Sequence, residues 1–445
     1  MLTGLFLAFL LSISTATAQD TPRTSPDPDS ESTTDDSSES VPWVKRWKHF
    51  REATRDVSEF DYKDGLFRMR FGVRFQIDTT LGGEDTAIES MFGSTDASVD
   101  ARRGRVFADG DFLRRYHFRF EYDLTGDDGL KDAYIDGIFQ RAFKYAALRI
   151  GNTKEPFSME RHTSSNDVAF MERSLPVTAF SPGHNFGIVL HGVDEIPRFQ
   201  WAIGVLTNTK FDQDNSSAAD SAFTIRLSAL PLYKNEGRWL MHLGGSYSVR
   251  NPADDSVRYV THPEARFTPI YLDTGFIPTD ENTLTGLEFA LVQGPTWIQA
   301  EWIRSSVDSM TMGAADFSGS YAQVGWFLTG ETRPYKNDPG VFGRVKPKRP
   351  YRGGNPFGKD VPFGAVEFVA RLSNLDLVDG PFNAGEMRDL SFGVNWYLTR
   401  ATRLSANYVR ANVDNVGTSN TFVVRYQFNP GYKWPLLHPK RGSYW

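Results

Sequence analysis

Hydrophobic and polar positions alternate along most of this chain. In Leu66–Asp78, LFRMRFGVRFQID, one parity holds Phe67, Met69, Phe71, Val73, Phe75 and Ile77, and the other holds Arg68, Arg70, Gly72, Arg74, Gln76 and Asp78. A strand sends successive side chains to opposite faces, so this stretch predicts a strand with one greasy and one basic face. Arg114–Leu124 repeats the pattern, with Tyr116, Phe118, Phe120 and Tyr122 against Arg115, His117, Arg119, Glu121 and Asp123. About 16 such segments follow one another. After the first they are Arg103–Phe112, Arg114–Leu124, Lys131–Phe139, Tyr145–Gly151, Asn185–Val193, Arg198–Leu206, Ala222–Leu230, Arg238–Arg250, Thr283–Gln293, Trp297–Ser305, Ser320–Thr329, Phe363–Leu372, Arg388–Leu398, Thr402–Arg410 and Thr421–Phe428. Connections of a few residues alternate with long ones, except that Gly330–Pro362 is long where parity calls for a short turn.

So many one-sided strands need a large apolar surrounding. The pattern predicts an all-β fold: a transmembrane antiparallel β-barrel of about 16 strands, greasy toward lipid and charged toward a wet lumen. The chain has 34 Phe, 17 Tyr and 10 Trp but no long apolar run beyond its N-terminus, which excludes helical membrane spans. It has no Cys, which excludes a disulfide framework and thiolate metal sites.

The ends read differently. Residues 1–18, with an apolar run and Ala16-Thr17-Ala18, form a secretory signal. Residues 19–40 are an acidic tail without core-forming residues, expected to be disordered. Residues 41–65 form a short periplasmic segment, with Trp43, Trp47 and Phe50 at helical spacing. The barrel takes 66–428, and 429–445 is an extension. The net charge of −6 resides in residues 20–40, so the barrel's ion preference must come from how its charges are distributed.

Several segments resemble the phosphate-selective porin O/P family. They are GWFLTGETRPYKNDPGVFGRVKPKRP (Gly325–Pro350) with GAVEFVARLSNLDL (Gly364–Leu377), GNTKEPFSMERHTSSNDVAFMERSLPVTAFSPGHNFG (Gly151–Gly187), HPEARFTPIYLDTG (His262–Gly275), and the pair GVRFQID (Gly72–Asp78) and ARRGRV (Ala101–Val106). The resemblance implies a trimeric 16-stranded barrel narrowed by infolded loops and lined by an arginine ladder. By the same resemblance Arg74 takes the first-strand arginine position, Arg102 and Arg103 the second-strand pair, and Lys154 lies on the constricting third loop. It also implies that the basic turn Gly330–Pro362 folds inward. The acidic tail and the residues after Phe428 depart from the family's pattern.

The arginines read as facing the lumen are Arg68, Arg70, Arg74, Arg103, Arg105, Arg115, Arg119, Arg149, Arg226, Arg250, Arg304, Arg371 and Arg425. Guanidinium is always charged and its fork matches phosphate oxygens, and rings of such groups select anions. Each could instead pair with a wall carboxylate such as Asp109, Glu121, Asp136, Glu288, Glu301 or Glu367. Gly72 leaves open backbone on the basic face, where an ion could approach. Glu331–Arg352 carries a net +5, with Lys346, Lys348 and Arg349 as a candidate anion funnel. Glu160, Arg161 and His162 read as loop hydrogen-bonding groups.

These residues predict an outer-membrane anion channel for phosphate or polyphosphate, without enzymatic activity or cofactor. The expected partners are anions, outer-membrane lipid and two further copies of the chain, with no nucleic acid. A porin for another small solute, or an enzyme built on a barrel, are the alternatives.

Overall fold

Antiparallel pairing between successive strands builds one closed wall. The computed structural model describes residues 59–62, 66–125, 129–139, 146–193, 198–207, 219–353 and 362–430. The expected signal, acidic tail, most of the 41–65 segment and most of the C-terminal extension lie outside them. The wall's strands are β1 (Phe67–Glu84), β2 (Ser98–Phe112), β3 (Tyr116–Asp123), β4 (Leu130–Phe139), β5 (Ala146–Lys154), β6 (His184–Val193), β7 (Phe199–Thr207), β8 (Ala219–Lys234), β9 (Trp239–Pro252), β10 (Asn282–Gln293), β11 (Thr296–Ser309), β12 (Gly313–Phe327), β13 (Ala365–Asp379), β14 (Phe382–Tyr397), β15 (Thr402–Val413) and β16 (Gly417–Phe428). β16 returns to β1, with Phe428 opposite Phe75 and Ser419 opposite Glu84, so the sheet has no free edge. A short strand, Glu59–Tyr62, pairs with the foot of β1.

Each segment expected from the alternation overlaps one of these strands. The strands run further than expected on the side of the 310–312, 380–381 and 414–416 turns. There the outward face carries Asp316, Ser318, Asn374, Asp376 and Arg388. Backbone pairing continues while the hydrophobic contrast stops.

Part of the lumen is filled. The 155–183 loop carries α1 (Met159–His162) and α2 (Leu175–Phe180) inward. Glu301 of β11 accepts the Met159 and Glu160 amides at 3.0 and 2.7 Å, satisfying donors that a helix start leaves free. Ser373 of β13 accepts the Leu175 amide at 3.1 Å. Phe157, Leu175, Val177 and Phe180 bury against Tyr259, Phe317 and Leu375. Tyr259 belongs to the 253–281 loop, whose Glu264 accepts from Arg371 at 2.7 Å and Ser391 at 2.8 Å.

The long 328–364 turn also folds in. Phe342 packs edge-on against Trp297, ring centres 5.4 Å apart. Gly325 makes room for that indole: a Cβ there would sit 2.3 Å from it. Arg226 of β8 donates to the carbonyls of Pro339 and Gly340 at 2.8 and 3.0 Å. Arg333 crosses to Glu367 at 3.3 Å.

These inserts lie against the wall from β8 round to β16. Side chains of Arg250, Arg371 and Arg425 beneath them are 0–1% exposed, whereas those of Arg70, Arg105, Arg119 and Arg149 on β1–β5 are 12–22% exposed. The wetter part of the lumen is therefore the β1–β5 side.

Candidate functional site

On the wet wall, charge is matched rung by rung. Arg70 holds Asp109 through bonds of 2.8 and 2.6 Å. Arg74, Arg105 and Arg119 converge on Glu121, Arg105 reaching on to Asp123 at 2.6 Å and Arg119 to Asp132 at 2.8 Å. Arg149 holds Asp136 at 2.8 Å and lies 4.0 Å over the Tyr134 ring. Five arginines meet five carboxylates here, so these groups carry no surplus of either sign.

Cations without carboxylate partners lie on this wall and on the loop that folds in beside it. Lys154, at the end of β5, donates to the carbonyls of Arg161 at 2.9 Å and Thr163 at 3.3 Å. Arg173 donates to the carbonyls of Glu160, Arg161 and Thr163 at 3.2–3.3 Å. On β2, Arg103 donates to Gln76 at 2.6 Å and its Nε has no partner. Among the described residues, none of these three is ion-paired to a carboxylate. Burial, then neighbouring Arg161, lowers the Arg173 guanidinium to about 10, so it stays charged near neutral pH. Burial, then Arg226 and Lys154, holds the His162 imidazole well below its usual value, so it is neutral there.

One break in the ladder adds a group. The β1–β2 register shifts between Gln76↔Arg103 and Ile77↔Ala101, leaving Arg102 as an extra residue. A bulge of this kind re-aims a side chain, and Arg102 reaches Glu172 of the inward loop at 2.8 and 2.9 Å. Arg425 of β16 meets the same carboxylate at 2.8 Å. Although burial opposes ionisation, Arg102 holds the Glu172 carboxyl well below the usual range. The loop that carries Arg173 is thus clamped to two strands by charge.

The family described as phosphate-selective porin O and P matches residues 70–429. The chain belongs to this family. It is similar to Porin O of Pseudomonas aeruginosa, at 25% identity over 417 residues covering 84% of this chain and 91% of that one. Among solved structures it resembles a loop L8 deletion mutant of OmpT from Vibrio cholerae, with a TM-score of 0.51, 10% identity and coverage of 82% and 99% of the two chains. It also resembles an anion-selective porin from Comamonas acidovorans, with a TM-score of 0.50, 10% identity and the same coverage. These two likenesses concern the fold. The protein is a porin of the outer membrane, crossing it with its barrel strands.

Within this porin, the residues singled out by sequence fall into distinct settings. Arg68, Arg70, Arg74, Arg105, Arg119 and Arg149 stand on the β1–β5 wall, Arg68 opposite Asp111. Arg226 lies apart, bound to Glu288 at 2.8 and 2.7 Å beneath the inward turn. Lys346, Lys348 and Arg349 are exposed on that turn. Arg115 is not on a strand: Leu113 and Arg114 take positive φ of 52° and 56°, so the chain is still turning there. Arg304 is on the outward face, paired with Asp316 at 2.5 Å, because the parity of β11 turns Gln299, Glu301 and Ile303 inward. The space above Gly72 is taken by the Phe107 ring, 2.1 Å from where a Cβ would be, and not left to an ion. Arg70, Arg74 and Arg119 surround that ring at 5.5–6.0 Å. Sequence reasoning missed Arg173 as a site residue. Its one signal was position, inside the segment that resembles the family's constricting loop.

Proposed function

We propose that this porin is an anion-selective channel for phosphate or short polyphosphate, passive rather than enzymatic, and assembled as a homotrimer in outer-membrane lipid. The observation that carries the reading is the set of cations without carboxylate partners, Arg173 on the inward loop with Lys154 and Arg103 on the wall, beside wall arginines that are paired. An anion entering beside them meets cations that no carboxylate offsets, next to neutral, polarised rungs of the wall. Shallow neighbouring sites of this kind let an ion step onward instead of being trapped. A unit pair at 4 Å gains roughly 1 kcal/mol in water and about 4 kcal/mol at an effective dielectric near 20, so two or three such cations are enough to hold a phosphate briefly.

The name of the matched family speaks of phosphate, and the present reading extends that solute class to this chain. Single-channel chloride conductance titrated with phosphate, sulfate and tripolyphosphate tests it. Phosphate or tripolyphosphate is expected to block chloride current at lower concentration than sulfate. Equal block by all three would make this a general anion pore, and cation preference would overturn the reading.

A further inference from the structure

The outer wall carries two arginines in a setting unlike those of the lumen. Arg388 on β14 and Arg410 on β15 both point outward. Arg388 stands opposite Asn412, and Arg410 stands opposite Leu390, so the two are diagonal neighbours on one face. The Arg388 side chain is 70% exposed, and its ion pair is a loose 3.8 Å contact with Glu386. Arg410 is exposed and, among the described residues, its side chain has no hydrogen bond or ion pair.

Polar neighbours complete the patch. Asn374 lies opposite Arg388 on β13, and Asn420 opposite Arg410 on β16. Tyr408, one step down β15 on the same face, donates to Asn420 at 2.6 Å. Immediately beyond, the same strands turn greasy, with Leu390 and Phe392 on β14 and Phe422 and Val424 on β16, all exposed. The patch therefore sits at the edge of the lipid-facing band.

Its height follows from cost. An arginine on the lipid face is expensive at mid-bilayer and nearly free at the headgroup level. The 380–381 and 414–416 turns close these strands at the end where the long 155–183 and 253–281 loops emerge. Long loops mark the outer side of such barrels. Two arginines side by side, bordered by amides and with Glu386 and Asp376 only on the Arg388 side, present charge-assisted donors for phosphate oxygens.

We propose that Arg388 and Arg410 bind the phosphate monoester of an anionic glycolipid in the outer leaflet, with Asn374, Asn412 and Asn420 available to its sugar hydroxyls. The lipid's acyl chains lie along Leu390, Phe392 and Phe422.

The test uses the full chain purified in detergent. Diphosphorylated lipid A and its dephosphorylated form are titrated against the wild type, the double variant R388Q/R410Q and the double variant R388K/R410K, with binding read by native mass spectrometry. Inorganic phosphate is added as a competitor at millimolar concentration. The proposal expects the wild type to prefer the phosphorylated lipid at least tenfold, the Gln pair to lose that preference, and the Lys pair to keep part of it. It also expects unchanged single-channel conductance in the Gln pair, and little displacement by inorganic phosphate. Equal binding of both lipids by the wild type overturns it, as does undiminished preference in the Gln pair. Dissociation of the oligomer in the Gln pair with lipid binding intact would also overturn it, by making the patch a contact between copies.

Discussion

Replacing Arg173 with Gln removes a cation that no carboxylate offsets, whereas replacing Glu121 with Gln leaves Arg74 without its carboxylate and takes one of two from Arg105 and Arg119. The two substitutions are predicted to act in opposite directions. Arg173→Gln and Lys154→Gln should each weaken phosphate block about fivefold, corresponding to roughly 1 kcal/mol for a charge contact in a wet site. Glu121→Gln should strengthen block and raise the anion-to-cation permeability ratio. Chloride conductance titrated with phosphate checks all three, and a shared direction would contradict the charge assignment. Gly72→Ala is a different kind of test, since its methyl must displace the Phe107 ring. It is expected to cost about 1–3 kcal/mol by overpacking and to lower the temperature at which the barrel unfolds on a detergent gel.

At the scale of elements, the inward loop and inward turn are held by contacts that acid or truncation should loosen. Glu172 keeps a carboxyl pKa well below 4.5 in the folded protein because Arg102 and Arg425 face it. A depressed carboxyl stabilises the fold above its unfolded value and loses that contribution as pH falls through the folded one. Melting of the wild type and Glu172→Gln should therefore differ at pH 7 by no more than about 3 kcal/mol, the pair being partly exposed. That gap should close as pH falls below about 4. Phe342→Ala should cost about 3–5 kcal/mol and raise single-channel conductance by opening the base of the lumen. Unchanged conductance would show that this packing does not narrow the path.

The elements themselves were legible, because period-two alternation survives wherever one face meets lipid. What fills the lumen was not. On β12, Tyr321 and Phe327 point inward while Val324 and Trp326 point outward, so both faces are greasy and the pattern cannot say that something covers the inner one. The covering residues, Leu175 and Phe342 among them, are far away in sequence from the strands they touch. The same limit misplaced Arg304: charge suggested the lumen, but register decides, and its neighbours Gln299 and Glu301 hold the inner face. The ladder's neutrality was only half visible, since alternation named Asp109, Glu121 and Asp136 but could not show which arginine each one meets.

For the whole molecule, the barrel wall closes without the acidic residues 19–40. Deleting them should leave oligomeric state and conductance unchanged, as read by detergent-gel migration and bilayer recording. A lost oligomer would give the tail a structural part. The central claim is that Lys154, Arg173 and Arg103, cations without carboxylate partners among the described residues, make the pore select anions while the neighbouring arginines of the wall are paired. The most direct measurement is the reversal potential under a tenfold potassium chloride gradient, recorded for the wild type and for the double variant Lys154→Gln with Arg173→Gln. The account predicts clear anion preference in the wild type and a large shift toward zero potential in the double variant. The same anion preference in both would contradict it and return selectivity to the paired arginines of the wall.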